Sequence, residues 1–208
     1  MARTTGPVCR ICRREGTKLF LKGTRCDTPK CAFERRESAP GMRTFRRTKL
    51  TDYGIHVREK QKVKRYYGVL ERQFRKYFKM AQRSRTETGE ALMALLERRL
   101  DNIVHRLGFG TSRKQAREIV NHGHVTVNDR RVDIASYLVR VGDVIRVKKR
   151  PKSLNLVKTS LATPGHEVPD FLTVVDGDVP EGYVVRLPEV ADVSIPVQTR
   201  LIIELCSR

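Results

Sequence analysis

The sequence predicts an α+β protein in which an irregular segment precedes helices and a small sheet. Residues 1–45 are rich in Cys, Gly, Pro and Arg and show little helical or strand periodicity. From residue 63 onward apolar residues recur at helical spacing, and beyond residue 125 they alternate as in half-buried strands. Segregated helical and strand patterns of this kind are typical of the α+β class.

Three apolar stripes predict the main helices. Their members are Val63, Tyr66, Tyr67 and Leu70; then Phe74, Tyr77, Phe78 and Ala81; and then Leu92, Leu95, Leu96, Leu100, Ile103, Val104 and Leu107. The third stripe predicts one continuous helix that ends at Gly108. A shorter helix is expected from Ser112, because residues 112–115 fit a capping box and Gly123 suits its C-terminal end.

Strand patterns follow. Val125, Val127 and Val132 alternate around Asn128-Asp129, which favours a tight hairpin turn. One more short helix is expected at residues 154–161. The remaining predicted strands are residues 144–147, 171–175, 183–187 and 201–205.

The charge of the chain points to an acidic partner. Lys and Arg number 43 against 23 Asp and Glu, which gives a formal net charge of +20. Like charges destabilise a compact state, and nucleic acid is the commonest partner that removes this repulsion. A merely solvated basic face is the alternative. The sequence shows no signal peptide and no run long enough to span a membrane, so a cytoplasmic, reducing compartment is expected.

Four cysteines predict a metal-binding arm. Cys9 and Cys12 are separated by two residues, and Cys26 and Cys31 by four, with thirteen residues between the pairs. Each close pair can bind one side of a single ion, and nearby arginines favour the thiolate form. We expect a structural Zn²⁺ with no open coordination position. An iron–sulfur cluster and free or disulfide-bonded cysteines are the alternatives. Cys206 stands alone and is expected to be buried.

Two groups of cations are candidate phosphate contacts. The first lies in a basic stretch, residues 43–83, whose interleaved aromatic residues have the helical spacing of core positions rather than of a base-stacking surface. Its candidate RNA-binding residues are Arg46, Arg47, Lys49, Arg58, Lys60, Lys62, Lys64, Arg65 and Arg72.

The second group surrounds the helix predicted after Ser112. Free amides and the helix dipole attract phosphate at a helix start. The following hairpin contributes further polar groups, although either histidine can instead be structural. The candidates are Arg113, Lys114, Arg117, His122, His124, Asn128, Arg130 and Arg131.

Several motifs resemble one family. The segments LERRLDN at 96–102, LGF at 107–109, SRKQAR at 112–117 and HGHVTVN at 122–128 are similar to the RNA-binding module of the small-subunit ribosomal protein four family. VCRICRREG at 8–16 and REKQK at 58–62 resemble its bacterial members, as do Pro196-Val197 and the ending at 203–208. The chain departs from the family where Met42 follows Gly41 and where Asp129 replaces the usual turn glycine.

The resemblance implies a primary binder of small-subunit ribosomal RNA that recognises a helix junction in the 5′ domain and nucleates assembly. It also implies contact with small-subunit protein five, a role in translational accuracy, and proximity to the path by which mRNA enters the ribosome. The expected domains are a metal-binding arm and linker (residues 1–45), a helical domain (46–97, completed by 188–208) and an inserted α+β RNA-binding module (98–187).

Two other functions compete with this interpretation. Pseudouridine synthases carry a similar module and a catalytic Asp in an Arg-Leu-Asp motif, which Arg99-Leu100-Asp101 matches. Asp101, however, falls in a periodic helix, and too little chain remains for a catalytic domain, so we expect no enzyme. A cysteine-metal regulator that binds DNA is the second alternative, but zipper heptads are missing from the sequence.

Overall fold

The computed structural model describes residues 5–36, 38–42, 49–163 and 167–207. The chain divides into two compact units, Met1–Leu92 with Ser194–Arg208, and Met93–Val193. The helices are α1 Cys9–Glu15, α2 Ala32–Arg35, α3 Asp52–Tyr66, α4 Glu71–Gln82, α5 Thr88–Glu97, α6 Leu100–Arg106, α7 Arg113–Asn121, α8 Pro151–Leu161 and α9 Thr199–Ser207. The strands are β1 Val125–Val127, β2 Arg130–Arg131, β3 Val144–Val147, β4 Leu172–Val175 and β5 Glu181–Val184. In the described part of the chain, every helix is too short or too polar to cross a membrane.

The N-terminal segment is more regular than its composition predicts. It contains α1, α2 and a 3₁₀ turn at Gly23–Asp27. Cys9 and Cys12 lie three residues apart in α1 and therefore share a face of that helix. Gly16 ends the helix in the left-handed conformation, at φ 67°.

Helices α3 and α4 follow one another in the first unit. Thr51 caps α3, since its side-chain oxygen accepts a hydrogen bond from the Gly54 amide at 3.2 Å. The apolar stripe of α4 is buried as predicted, with Phe74 and Tyr77 at most 2% exposed. Leu70, which the sequence placed in the first helix, is instead the extended residue before α4 and is 40% exposed.

The C-terminal segment is a helix, and the prediction of a strand at 201–205 is wrong. Helix α9 packs along α3, where the amide of Gln198 donates to Glu59 Oε1 at 2.8 Å and His56 Nε2 lies 3.4 Å from Glu204 Oε2. Ile202 is completely buried. The adjacent β-branched residues suggest a strand, but packing of one helical face against α3 outweighs that local preference.

The predicted long helix through residues 92–107 is broken in two. Arg99 has an extended backbone, with ψ 135°, and forms a bridge to Leu138. The next amide, that of Leu100, donates to the Tyr137 carbonyl at 2.9 Å. These pairings replace helical hydrogen bonds, so α5 ends at Glu97 and α6 begins at Leu100. Gly108 follows α6 with φ 78°, as expected for a helix end.

The second unit contains an antiparallel sheet of strand order β2-β1-β3-β5-β4. Asn128 and Asp129 have φ values of 49° and 62°, which confirms the predicted hairpin turn. Val132 lies beyond β2, and β5 begins two residues earlier than predicted. At that strand a Cβ on Gly182 would lie 2.4 Å from Leu107, so only glycine permits this close approach of β5 to the end of α6.

Candidate nucleic-acid interface

The cations of α3 are paired with carboxylates within the protein. Arg58 Nη1 lies 3.4 Å from Glu15 Oε1, and Arg65 contacts the same carboxylate, whose side chain is 1% exposed. Lys60 and Lys64 each bind Glu71 at 2.7 Å. Lys62 binds Glu59 at 2.8 Å. All five basic residues of α3 that were predicted to bind phosphate therefore form an ion pair with a carboxylate of the protein.

The pKa of Glu71 is lowered by its hydrogen bonds with basic residues. Burial by itself would raise this pKa, but hydrogen bonds from Lys60, Lys64 and Arg75 outweigh burial and lower the pKa from 4.5 to about 2. The carboxylate is thus ionised throughout the neutral range, and its charge offsets part of the positive charge of α3 and α4.

A row of cations along α4 and its C-terminal cap has no such pairing. Arg72, Lys76, Lys79 and Arg83, here called the α4 stripe, are exposed and line a groove of about 490 Å³. Within the described ranges, no carboxylate lies within 4.0 Å of any of the four. Their spacing of four, three and four residues sets them along one face over about 16 Å, at 1.5 Å per residue. Of these four residues only Arg72 was predicted from the sequence to contact phosphate; the helical periodicity that predicts the buried face of α4 also indicates the other three.

The aromatic residues of the basic stretch are mostly unavailable for stacking. Tyr66, Tyr67, Phe74, Tyr77 and Phe78 are all at most 5% exposed. Tyr53, at 65%, is exposed. The core packing predicted for these residues is confirmed for the buried five, so these five rings are not available to stack on bases.

Other predicted residues of the basic stretch are separate from the α4 stripe. Lys49 is exposed just before α3. Arg46 and Arg47 lie outside the described residues.

Helix α7 begins as predicted, with one change in its cap. Ser112 Oγ accepts from the Gln115 amide at 3.3 Å. The Gln115 side chain, however, accepts from the Thr111 amide at 2.9 Å rather than from Ser112. Lys114 is exposed, whereas Arg113 and Arg117 are partly buried.

A buried polar network underlies the start of α7. Arg99 forms two hydrogen bonds with Asp101, at 3.0 and 2.7 Å. Asn102 Nδ2 donates to Glu97 Oε2 at 2.6 Å, and Arg106 Nη2 donates to Glu97 Oε1 at 3.2 Å. The conspicuous motif at residues 96–102 therefore lies mainly inside the unit.

Two predicted RNA contacts of α7 belong to this network. Arg113 Nε donates to Asn102 Oδ1 at 2.9 Å, and Arg117 Nη1 lies 3.9 Å from Asp101 Oδ2. Asp101 itself is 4% exposed, lies in α6 and is held by Arg99. A residue in that environment cannot act as the exposed nucleophile that a pseudouridine synthase requires.

The hairpin residues differ in their roles. Asn128 is structural, because its side chain donates to Asp143 Oδ1 and accepts from the Val144 amide, both at 2.9 Å. His122, Arg130 and Arg131 are exposed, and Arg131 lies 3.6 Å from Asp133. His124 is partly buried, with Nδ1 2.9 Å from Ser153 Oγ.

The four N-terminal cysteines line one small cavity together with Val8 and Leu21. Burial raises the pKa of the Cys12 and Cys26 thiols, and the other thiols of the cluster raise it further. This direction is opposite to the lowering expected from the nearby arginines, because burial is the largest contribution to both shifts. Among the described residues, no three His, Cys, Asp or Glu side chains are arranged to hold a metal ion, so the predicted metal site is not confirmed. Cys206 is partly rather than fully buried.

The fold and the exposed cations define a basic protein of the nucleic-acid-binding class. Residues 3–97 match the family model described as ribosomal protein S4/S9 N-terminal domain, and residues 98–145 match the S4 domain. The chain is 52% identical over 208 residues to small ribosomal subunit protein uS4 of Thermodesulfovibrio yellowstonii and 53% identical over 208 residues to that of Thermoanaerobacter pseudethanolicus. It is 54% identical over 209 residues to that of Desulfitobacterium hafniense. Each alignment covers 100% of both chains. The chain belongs to the uS4 family of small ribosomal subunit proteins.

Proposed function

We propose that this protein is a structural constituent of the small ribosomal subunit, located in cytoplasmic ribosomes, and that it binds small-subunit ribosomal RNA without catalysing a reaction. The observation that carries the proposal is the α4 stripe, four exposed cations without a nearby carboxylate in the described part of the chain. The net charge of +20 and the family of the chain support it.

The α4 stripe acts on the RNA backbone in this proposal. A row of cations about 16 Å long can contact several successive phosphates and release their counterions. Such contacts position a protein without reading sequence. Recognition then depends on the shape of the RNA, which agrees with binding at a helix junction of the 5′ domain and with nucleation of assembly there.

The test replaces two members of the α4 stripe. Lys76→Ala/Lys79→Ala should weaken binding to a transcript of the 5′ domain and reduce the dependence of log affinity on log salt by about two contacts. The control is Lys18→Ala/Arg200→Ala, which removes the same charge from residues that hold Glu34 and Glu204. Equal salt slopes for the two variants, with both folded, would contradict the α4 assignment.

We further propose that the cysteine arm holds one structural Zn²⁺, with an iron–sulfur cluster as the alternative. The support is that Cys9, Cys12, Cys26 and Cys31 line a common cavity, and that a closed tetrahedral site requires four ligands. Elemental analysis after reducing purification should find about one zinc per chain. Cys26→Ser should lower that content and expose the arm to proteolysis, while a metal-free protein with four titratable thiols would refute the proposal.

The family also leads us to propose contact with small-subunit protein five, a role in translational accuracy, and a position beside incoming mRNA. Assembly of the subunit with this protein carrying a photo-crosslinker at exposed positions tests these contacts. The expected crosslinks are to protein five and to mRNA; crosslinks to ribosomal RNA alone would leave only the RNA-binding role.

A further inference from the structure

The sheet of the second unit has two edge strands. In the order β2-β1-β3-β5-β4 these are β2 and β4. β4 pairs with β5 on one side, and the described part of the chain contributes no strand to its other side. An edge strand of this kind presents backbone N–H and C=O groups that can pair with another chain.

The register of the sheet shows which backbone groups of β4 face outward. The Val185 amide donates to the Phe171 carbonyl at 3.0 Å, so these two residues form a hydrogen-bonded pair. Such pairs alternate along an antiparallel ladder, which makes Thr173 and Tyr183 the next one. The N–H and C=O of Val174 therefore point away from β5, toward the open edge.

The two edges differ in their protection. β2 consists of Arg130 and Arg131, and charged side chains on an edge discourage pairing with another strand. β4 has the sequence Leu-Thr-Val-Val, with no charged residue. The edge at β4 is thus without the guard that the opposite edge carries.

The outer face of the sheet beside β4 is partly apolar. Val175 is 49% exposed and Val185 is 56% exposed. Leu172 and Val184 in the same two strands are buried, at 4% and 2%, and point toward the core. Because side chains alternate along a strand, Val175 and Val185 lie on the opposite, solvent-facing side.

The segment that contains the open edge is acidic, in a protein whose net charge is +20. Arg186 is the one basic residue between positions 167 and 192, against seven acidic residues: Glu167, Asp170, Asp176, Asp178, Glu181, Glu189 and Asp192. Asp176 and Asp178 lie in the turn after β4, are exposed, and have no cation within 4.0 Å among the described residues. Their charge repels phosphate, so RNA is an unsuitable occupant of this edge.

We propose that the β4 edge, defined as residues 172–178, is a docking site for a basic, extended segment of another protein, which adds a strand beside β4. Backbone pairing with Val174 gives affinity, and alternate side chains of the added strand give specificity. Lys or Arg residues of the partner fit Asp176 and Asp178, while their apolar stems fit Val175. The site is separate from the RNA contact proposed for α4 and does not depend on it.

The first test uses the full chain and three octapeptides with blocked ends. One alternates Lys with Val, one alternates Glu with Val, and one alternates Lys with Pro, which has no backbone N–H to donate. Fluorescence anisotropy should show binding of the Lys-Val peptide alone. Failure of that peptide to bind, or equal binding of the Lys-Pro peptide, would overturn the proposal.

Hydrogen exchange measured by NMR locates the contact. The Val174 amide should exchange more slowly when the Lys-Val peptide is bound, because its N–H gains an acceptor. Unchanged exchange at Val174 in the bound state would contradict strand addition.

Variants of the full chain test the charge. Asp176→Ser/Asp178→Ser removes two acids from the β4 edge, and the control Glu87→Gln/Glu90→Gln removes two exposed acids elsewhere. The edge variant should bind the Lys-Val peptide roughly threefold to tenfold more weakly, and the control should match the wild type. Equal peptide affinity of the two variants, with both folded by thermal melting, would exclude the β4 edge as the docking site.

RNA binding by the same two variants separates a protein partner from RNA. Both should bind a transcript of the 5′ domain with equal affinity, since the β4 edge is not an RNA contact in this proposal. A gain of RNA affinity in the edge variant alone would place the edge beside RNA and would refute its assignment to a protein partner.

Discussion

Glu71 pairs with cations of α3 and α4, and its pKa makes the stability of the folded protein depend on pH in the acid range. Its pKa is about 2 in the folded protein, against an ordinary value of 4.5. A lowered carboxylate pKa stabilises the folded state above the unfolded pKa, and this stabilisation is lost as pH falls from 4.5 toward 2. Glu71→Gln should therefore lose less stability than the wild type over that interval, as measured by urea unfolding at several pH values. The exposed Glu90→Gln is the control, and an equal loss in Glu71→Gln and wild type would contradict the prediction.

Some ion pairs of single residues could not be predicted from the sequence. The cations of α3 are evident from composition, but Arg58 and Arg65 are paired with Glu15, which lies 43 and 50 residues earlier. Such pairs are created by tertiary packing and leave no local signal. The α4 stripe, in contrast, follows from helical periodicity and was accessible from the sequence.

Among the secondary-structure elements, local sequence patterns correctly predicted α4, α7, the hairpin and β3. They failed where contacts with residues distant in sequence determine the secondary structure. The apolar stripe through residues 92–107 continues across the break at Arg99, so periodicity alone cannot reveal a bridge to Leu138. At the C-terminus, adjacent isoleucines suggested a strand, although their partner is the helix α3.

The packing of α9 against α3 makes a prediction at Ile202. Ile202 is 0% exposed, whereas its neighbours Leu201 and Ile203 are only partly buried. Ile202→Ala should reduce the free energy of unfolding by about 2–5 kcal/mol, because it leaves a cavity between α9 and α3. Leu201→Ala is the matched control and should cost less. Chemical denaturation measures both, and a larger loss at Leu201 would mean that Ile202 is not the residue through which α9 packs on α3.

For the whole molecule, the charge of +20 predicts opposite responses of folding and binding to salt. Salt screens the repulsion within the free protein and should raise its melting temperature. The same salt should lower RNA affinity by orders of magnitude between roughly 50 and 200 mM if about six to ten phosphates are contacted. Calorimetry and filter binding in matched buffers provide the two measurements. An RNA affinity that does not change with salt would exclude a phosphate-based interface.

The RNA-binding function of the whole molecule was predictable from the sequence. Total charge and full-length resemblance to a family can both be read without knowledge of tertiary contacts. The division into units, by contrast, depends on long-range contacts. The structure separates them after Leu92 and before Ser194. The boundaries expected from the sequence, at 97/98 and 187/188, stay a prediction.

The buried network beneath α7 has a consequence for genetics. Substitutions at Glu97, Asp101 or Asn102 would leave charged or polar partners without hydrogen bonds inside the second unit. We therefore expect these substitutions to unfold the second unit and so to abolish RNA binding. In the proposed interface each α4 cation would provide one contact among several, so its loss should give a mild phenotype. A mutational screen scored only by loss of binding would consequently select the buried motif and pass over the proposed RNA-binding surface. Separating the two classes requires abundance of the folded protein to be measured beside binding for every variant.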